Sequence, residues 1–148
     1  MASPPIEPAS KLFIDSSVLI AAAISPRGSA RDLIIAGLSG RLTLVLSALI
    51  FEETERNLAE KYPRALPMLE TLRTAWEGTL VEPDPALIRQ VGKVVALKDA
   101  PIVAGALAAR ATWLVTYDRR HLLRQKDPIR TMFGITVATP DEVLAASR

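Results

Sequence analysis

Four acidic residues stand at places in this sequence where a fold can gather them around a metal ion. Asp15 ends one short apolar run, and Asp118 stands two residues beyond another. Asp99 precedes an alanine-rich segment, and Glu53 lies in a segment with other glutamates. Clustered carboxylates repel one another unless a cation neutralises them, and divalent cations such as Mg²⁺ accept their oxygens as ligands. The four acids therefore predict a divalent-metal site suited to phosphodiester hydrolysis.

The identity of the metal follows from which other ligands the chain lacks. It has no cysteine and one histidine, His121, which we expect at the surface. This composition excludes disulfides, a thiol nucleophile, cysteine-ligated zinc and a two-histidine zinc site within one chain. A hard cation bound by oxygen remains, Mg²⁺ or Mn²⁺. The acids suffice for one ion, or for two about 3.5–4 Å apart, and the expected products carry a 5′-phosphate and a 3′-hydroxyl.

Each of these acids also has a simpler structural interpretation. Asp15 and Asp99 stand where helix N-caps are expected, and Asp118 falls in a sequence typical of a turn. At least two of the three glutamates at positions 52, 53 and 55 must be ordinary solvated acids. Glu53 is favoured as the metal ligand, and Glu52 is the alternative.

Neighbouring polar residues are candidates for supporting roles. Ser16, Ser17 and Thr116 could orient a carboxylate or a metal-bound water, or simply cap helices. Residues 118–130 carry five basic and two acidic side chains, so Arg119 and Arg120 are candidates for phosphate contacts. The alternative for this basic stretch is a solvated loop and helix face. Trp76 and Trp113 are expected in the core.

Hydrophobic patterning predicts the elements that must position these residues. Strands are expected at 11–15, 42–46, 79–82, 112–116 and 135–138. Helices are expected at 16–24, 30–38, from an N-cap at Ser47 to about 61, and at 64–76, 86–95, 100–110 and 140–146. Alternating strands and helices predict a three-layer α/β/α sandwich around a parallel sheet of four to five strands. Ligands of such sheets bind at the carboxyl ends of the strands, where Asp15 and Asp118 fall.

Composition agrees with one globular domain. The 148 residues are 49% hydrophobic and 23% charged, with a formal net charge of +2. We expect a flexible lead over residues 1–10 and a single domain over 11–148. No apolar run approaches the roughly 20 residues that span a bilayer. The expectation is a soluble cytoplasmic protein with no membrane association.

Three segments resemble the PIN domain family, the metal-dependent nuclease fold of many bacterial toxins of the VapC type. They are residues 12–19 (LFIDSSVL), 44–58 (LVLSALIFEETERNL) and 99–118 (DAPIVAGALAARATWLVTYD). The resemblance implies a PIN-like fold and assigns the family's acidic position to Glu53. It also implies a Mg²⁺- or Mn²⁺-dependent ribonuclease acting on RNA, the toxin of a toxin–antitoxin pair. A homodimer and an antitoxin whose tail enters the acidic pocket are implied as partners.

Two departures from the family pattern bear on the metal. Ser17 stands where the family often has asparagine, and Lys98 stands where many members have an additional acid next to Asp99. The lysine favours one tightly bound ion, with a second recruited together with RNA.

The residues after Asp15 also bear on two other functions that similar α/β folds perform. A response-regulator receiver requires adjacent acids after its first strand, and a haloacid-dehalogenase-type phosphatase requires Asp-x-Asp there. Ser16 and Ser17 follow Asp15 instead, which argues against both. A PIN-like module that binds RNA or protein without cutting remains the alternative.

Overall fold

The computed structural model describes residues 3–76, 78 and 80–147 of the chain. That part of the chain forms eight α-helices and four strands, with at least one helix between successive strands. In order these are β1 (Lys11–Ile14), α1 (Ser16–Ile24), α2 (Ser29–Leu38), β2 (Thr43–Val45), α3 (Ala48–Lys61), α4 (Leu66–Ala75), α5 (Pro85–Val91), α6 (Ala100–Ala108), β3 (Trp113–Val115), α7 (Lys126–Phe133), β4 (Thr136–Ala138) and α8 (Pro140–Ala146). Short 3₁₀ turns occupy Pro63–Ala65 and Leu123–Gln125.

The four strands form one parallel sheet in the order β2-β1-β3-β4. β1 lies in the middle, and its residue Ile14 pairs with Val115 of β3. All four strands run in the same direction, so their carboxyl ends meet at one edge of the sheet. The expected three-layer α/β/α sandwich with a parallel sheet is confirmed.

The central strands are mostly apolar because helices cover both faces of the parallel sheet. Leu12, Phe13 and Ile14 of β1 are fully buried. Trp113 is buried as predicted, and Trp76 packs half-buried against the same core. Within the described residues, no helix is both long and apolar enough to cross a bilayer.

Most predicted elements are found within a few residues of their expected bounds. The strand predicted at 79–82 is the main exception, since Val81 forms only one parallel bridge, with Ser47, and Thr79 lies outside the described residues. α5 ends at Val91 rather than at 95, and the helix predicted from 64 begins with a 3₁₀ turn.

Helix α7 was not predicted, because Asp127 and Pro128 near its start resemble a loop. A proline in the first helical turn removes an N–H that has no partner within the helix, so the helix tolerates it. The helix ends at Gly134, which adopts a left-handed conformation with φ of 71°.

The segment before β1 is in contact with the domain. Residues 3–10 form neither helix nor strand, and Met1 and Ala2 lie outside the described residues. The Thr43 hydroxyl donates to the Pro8 carbonyl at 3.1 Å, and Ile6 packs partly buried against the core. Flexibility of this lead stays a prediction.

Helix α6 lies so close to the sheet that only glycine fits at position 105. A Cβ built on Gly105 would lie 2.8 Å from Cζ of Phe13. The Phe13 side chain is fully buried, so its ring has no free space into which it could move. We expect Gly105→Ala to lower the free energy of unfolding by about 1–2 kcal/mol, since overpacking outweighs the gain in helix propensity. Urea unfolding followed by circular dichroism measures this difference.

Gly92→Ala is the matched control for that substitution. Its added Cβ would lie 3.0 Å from the end of the Leu97 side chain, which is 80% exposed and free to move. The carbonyl oxygens of Ile88 and Arg89, at 3.4 and 3.5 Å, are in ordinary contact with it. Its stability should equal that of the wild type or exceed it slightly. Equal stability of Gly105→Ala and wild type would contradict the close packing of α6 against β1.

Candidate functional site

The four predicted acids line one cavity at the carboxyl edge of the sheet. They reach it from different elements: Asp15 between β1 and α1, Glu53 on α3, Asp99 before α6 and Asp118 after β3. The cavity has a volume of about 380 Å³ and is lined by Asp15, Ser16, Ser17, Ile20, Glu53, Lys98, Asp99, Ile102, Tyr117, Asp118 and Leu122. A larger groove of about 960 Å³ lies beside β4, and among the described residues that line it two are acids, Asp127 and Glu142.

Asp15 is held by two hydroxyl groups instead of capping α1. It occupies the N-cap position, yet its side chain makes no capping hydrogen bond. Thr116 Oγ1 donates to Asp15 Oδ2 at 2.7 Å, and Ser17 Oγ donates to the same oxygen at 2.8 Å. These hydroxyls accept in turn from the amides of Asp118 and Tyr117, at 2.9 and 3.0 Å. The carboxylate is therefore oriented by two relays that connect it to the end of β3.

Burial raises the pKa of Asp15 above its usual 3.8, because the charged form loses water when the side chain is buried. The hydroxyls of Thr116 and Ser17 oppose this effect, since they donate to the charged form. The nearby amides of Ser16 and Ser17 act in the same direction, without completing a cap. A buried carboxylate with a raised pKa favours a neutralising cation.

Glu53 is the glutamate that faces Asp15. It is half-buried in the cavity, whereas Glu52 is exposed and Glu55 forms an ion pair with Arg73 at 2.8 Å. Burial raises the pKa of Glu53, the Ser16 hydroxyl lowers it, and the negative charge of Asp15 raises it further. The two carboxylates therefore repel each other, and the structure turns Glu53 rather than Glu52 towards the cavity.

Asp99 is also buried at a helix start without capping the helix. Its side chain makes no capping hydrogen bond to α6. Gln125 Nε2 donates to Asp99 Oδ2 at 2.9 Å, and Lys98 Nζ lies 3.7 Å from Asp99 Oδ1. Gln125 Oε1 also accepts from the Ala96 amide at 2.9 Å. Sequence reasoning missed Gln125, because no local pattern indicates a contact across 26 residues of chain.

Asp118 is both a turn residue and part of the cavity lining. Its Oδ1 accepts from the His121 amide at 3.2 Å, and its carbonyl accepts from the Leu123 amide at 3.0 Å. The turn interpretation is therefore correct, and it does not remove the carboxylate from the site. Arg119 and Arg120 are exposed beside it, outside the cavity lining, as is the half-buried His121.

The donor set fits a hard divalent cation in chemical type, since four carboxylates share a cavity without histidine or cysteine. The acids are widely spaced, in an arrangement that we call open. Among the described residues, no three acidic or histidine side chains are close enough together to ligate one ion. Binding a cation there requires side chains to approach each other. The long side chain of half-buried Glu53 has the most freedom to do so.

Comparison with known proteins identifies the family. A family model described as PIN domain matches residues 11–120, most of the chain. This chain belongs to the PIN domain family. PIN domains are commonly metal-dependent nucleases, and the match includes all four acids of the cavity. No curated protein matches the sequence.

A solved structure supports the fold of this PIN domain independently. The crystal structure of PAE2754 from Pyrobaculum aerophilum superposes with a TM-score of 0.65 and covers 94% of this chain and 90% of its own. The two sequences are 17% identical, so the likeness shows the shared fold alone.

The raised pKa of Asp15 predicts how stability depends on pH without metal. Between 3.8 and the raised pKa, the folded protein binds more protons than the unfolded chain, so stability falls as pH rises through this interval. Asp15→Asn should reduce this fall and leave the metal-free protein at least as stable at pH 7. Urea unfolding at a series of pH values in EDTA measures both effects.

Glu60→Gln, which removes an exposed carboxylate near the end of α3, is the control for loss of one negative charge. It should follow the wild-type pH profile. Marked destabilisation of Asp15→Asn at neutral pH would mean instead that the charged carboxylate stabilises the ends of β1 and β3 through its hydrogen bonds.

Proposed function

We propose that this PIN domain is a Mg²⁺- or Mn²⁺-dependent endoribonuclease. One observation carries the proposal: four separate parts of the fold deliver four carboxylates to one cavity at the carboxyl edge of a parallel sheet. Gathering acids in this way opposes folding unless a cation compensates their repulsion. Hard cations bound by carboxylates are widely used for phosphodiester chemistry.

The roles of the acids follow from how firmly each is held. Asp15 is fixed by Ser17 and Thr116, and Asp99 by Gln125, so these two form the rigid side of the proposed site. Glu53 and Asp118 are half-buried and complete the ligand set. A divalent cation at such a site supplies activation of the attacking water and stabilisation of charge on the leaving 3′ oxygen.

The proposed RNA path runs along the basic segment beyond β3. Arg119 and Arg120 are exposed directly after Asp118, where their guanidinium groups can meet phosphates entering the cavity. An acidic site beside cationic side chains suits a polyanionic substrate whose scissile phosphate must approach carboxylates.

The proposal extends to biological role through the family resemblance. We infer that the protein acts as the toxin of a toxin–antitoxin pair, as a homodimer, and that an antitoxin tail occupies the acidic cavity. Induced expression of wild type should then arrest bacterial growth, whereas Asp15→Asn should not. Equal growth with both would remove the toxin role and leave the nuclease proposal standing.

A second candidate is a PIN module that binds RNA or protein without cutting. The open arrangement of the acids favours it, because no three of the described acidic side chains are within ligand distance of a common point. The presence of Lys98 beside Asp99 points the same way.

Cleavage of a mixed single-stranded RNA pool with Mn²⁺ or Mg²⁺ tests the proposal. Asp15→Asn should lower the cleavage rate by more than about 100-fold, since even a partner of a metal ligand typically contributes 10–100-fold. Thr116→Val, which removes one hydroxyl from Asp15, should lose roughly 10–100-fold. Loss of cutting in EDTA and full activity of Glu60→Gln are the controls.

The alternative outcomes of this assay separate the two candidates. Unchanged cleavage by Asp15→Asn would point to a contaminating nuclease. No cutting by the wild type, together with no Mn²⁺ binding in calorimetry, would favour the non-catalytic module.

Charge reversal tests the proposed RNA path separately. Arg119→Glu combined with Arg120→Glu should weaken RNA binding and lower the slope of log affinity against log salt by about 0.7 for each lost phosphate contact. The matched control reverses Lys11 and Arg41, two exposed cations at the amino edge of the sheet. Equal slopes in both double variants would exclude Arg119 and Arg120 from the RNA path.

A further inference from the structure

Lys98 is the one cationic side chain among the described residues that line the acidic cavity. It stands two residues before α6, between the exposed Leu97 and the buried Asp99. Its ammonium lies 3.7 Å from Asp99 Oδ1, and its side chain is 57% exposed. A positive charge is therefore held at the mouth of a cavity that contains four carboxylates.

Stability does not account for this placement. An ion pair with so exposed a partner contributes little to folding, because water screens the attraction and the long side chain loses entropy. Asp99 is already oriented through its other oxygen, where Gln125 donates at 2.9 Å. The position of Lys98 is better explained by a negatively charged ligand that enters the cavity.

The chemistry of the ammonium group suits a phosphate. Lysine carries a compact charge with three donors on a flexible stem, so it binds phosphate as a mobile point charge. In this structure the ammonium group is paired with Asp99 Oδ1. A cation bound by the carboxylates would weaken the attraction of Lys98 to Asp99, and an incoming phosphate would offer new negative charge.

We propose that Lys98 is a phosphate-binding residue of this site, which exchanges its contact with Asp99 for a non-bridging oxygen of the bound RNA. This inference rests on the proposed ribonuclease function and deepens it. Lys98 then places a positive charge of the protein itself next to the substrate. A carboxylate at the same position would instead recruit a second cation.

RNA binding in the Asp15→Asn background, with Mn²⁺ present, tests the proposal without cleavage. Adding Lys98→Gln should weaken binding of a short single-stranded RNA by about fivefold and lower the salt slope by about 0.7, the value of one phosphate contact. Lys11→Gln removes the same charge at the opposite edge of the sheet and should leave both quantities at the background values. Equal affinities and slopes for the two lysine variants would overturn the proposal.

Mn²⁺ binding without RNA separates phosphate binding from a structural role. Lys98→Gln in the otherwise wild-type protein removes a competing cation, so Mn²⁺ affinity in calorimetry should stay the same or rise by about two- to fivefold. A fall in Mn²⁺ affinity would mean that Lys98 positions Asp99, and would overturn its assignment to phosphate.

The two proposals fail in distinguishable ways. If wild type cuts RNA but Lys98→Gln keeps wild-type RNA affinity and salt slope, the nuclease stands and the role of Lys98 is refuted. If wild type neither cuts RNA nor binds Mn²⁺, the nuclease is refuted, and the salt slope still decides whether Lys98 contacts phosphate.

Discussion

The parallel pairing of β1 with β3 is the constraint on which the rest of the site depends. Ile14 pairs with Val115, so the next residues, Asp15 and Thr116, emerge side by side where the strands end. The hydrogen bond from Thr116 Oγ1 to Asp15 Oδ2 follows from that register. A shift of one residue would turn the strand's side chains to the opposite face and separate the pair.

Close packing of α6 transmits the same constraint to a second acid. Gly105 lets the helix approach Phe13 of β1, so the start of the helix is set relative to the central strand. Asp99 stands at that start and is buried there. The positions of Asp15 and Asp99 are thus both fixed relative to β1. Asp15 follows the strand directly, and Asp99 precedes a helix that packs against it.

Repulsion between the carboxylates of the cavity opposes folding. Burial raises the pKa of Asp15, and the charge of Asp15 adds to the rise at Glu53. Hydroxyl donors and Lys98 reduce the repulsion without removing it. A cation bound in the cavity would relieve this repulsion, because it would neutralise the carboxylates.

Local sequence patterns determined the strands, most helices and the four candidate acids. Buried runs, N-caps and breakers act over a few residues, so they are readable without the fold. The motif pattern of the family, rather than helical spacing, singled out Glu53 among its neighbours. The predicted strand at 79–82 and the missed α7 mark where local signals fail. The bridge at Val81 depends on the distant residue Ser47, and Pro128 resembles a helix breaker although the first turn of α7 tolerates it.

Only the tertiary structure decided which groups meet these acids. Gln125 reaches Asp99 across 26 residues of chain, and Thr116, at the end of β3, reaches Asp15 across 101 residues. It also turned the side chains of Asp15 and Asp99 away from the capping role that their positions suggested. The physical reason is that caps compete with hydrogen bonds from distant segments, and that competition is settled only when the segments are packed.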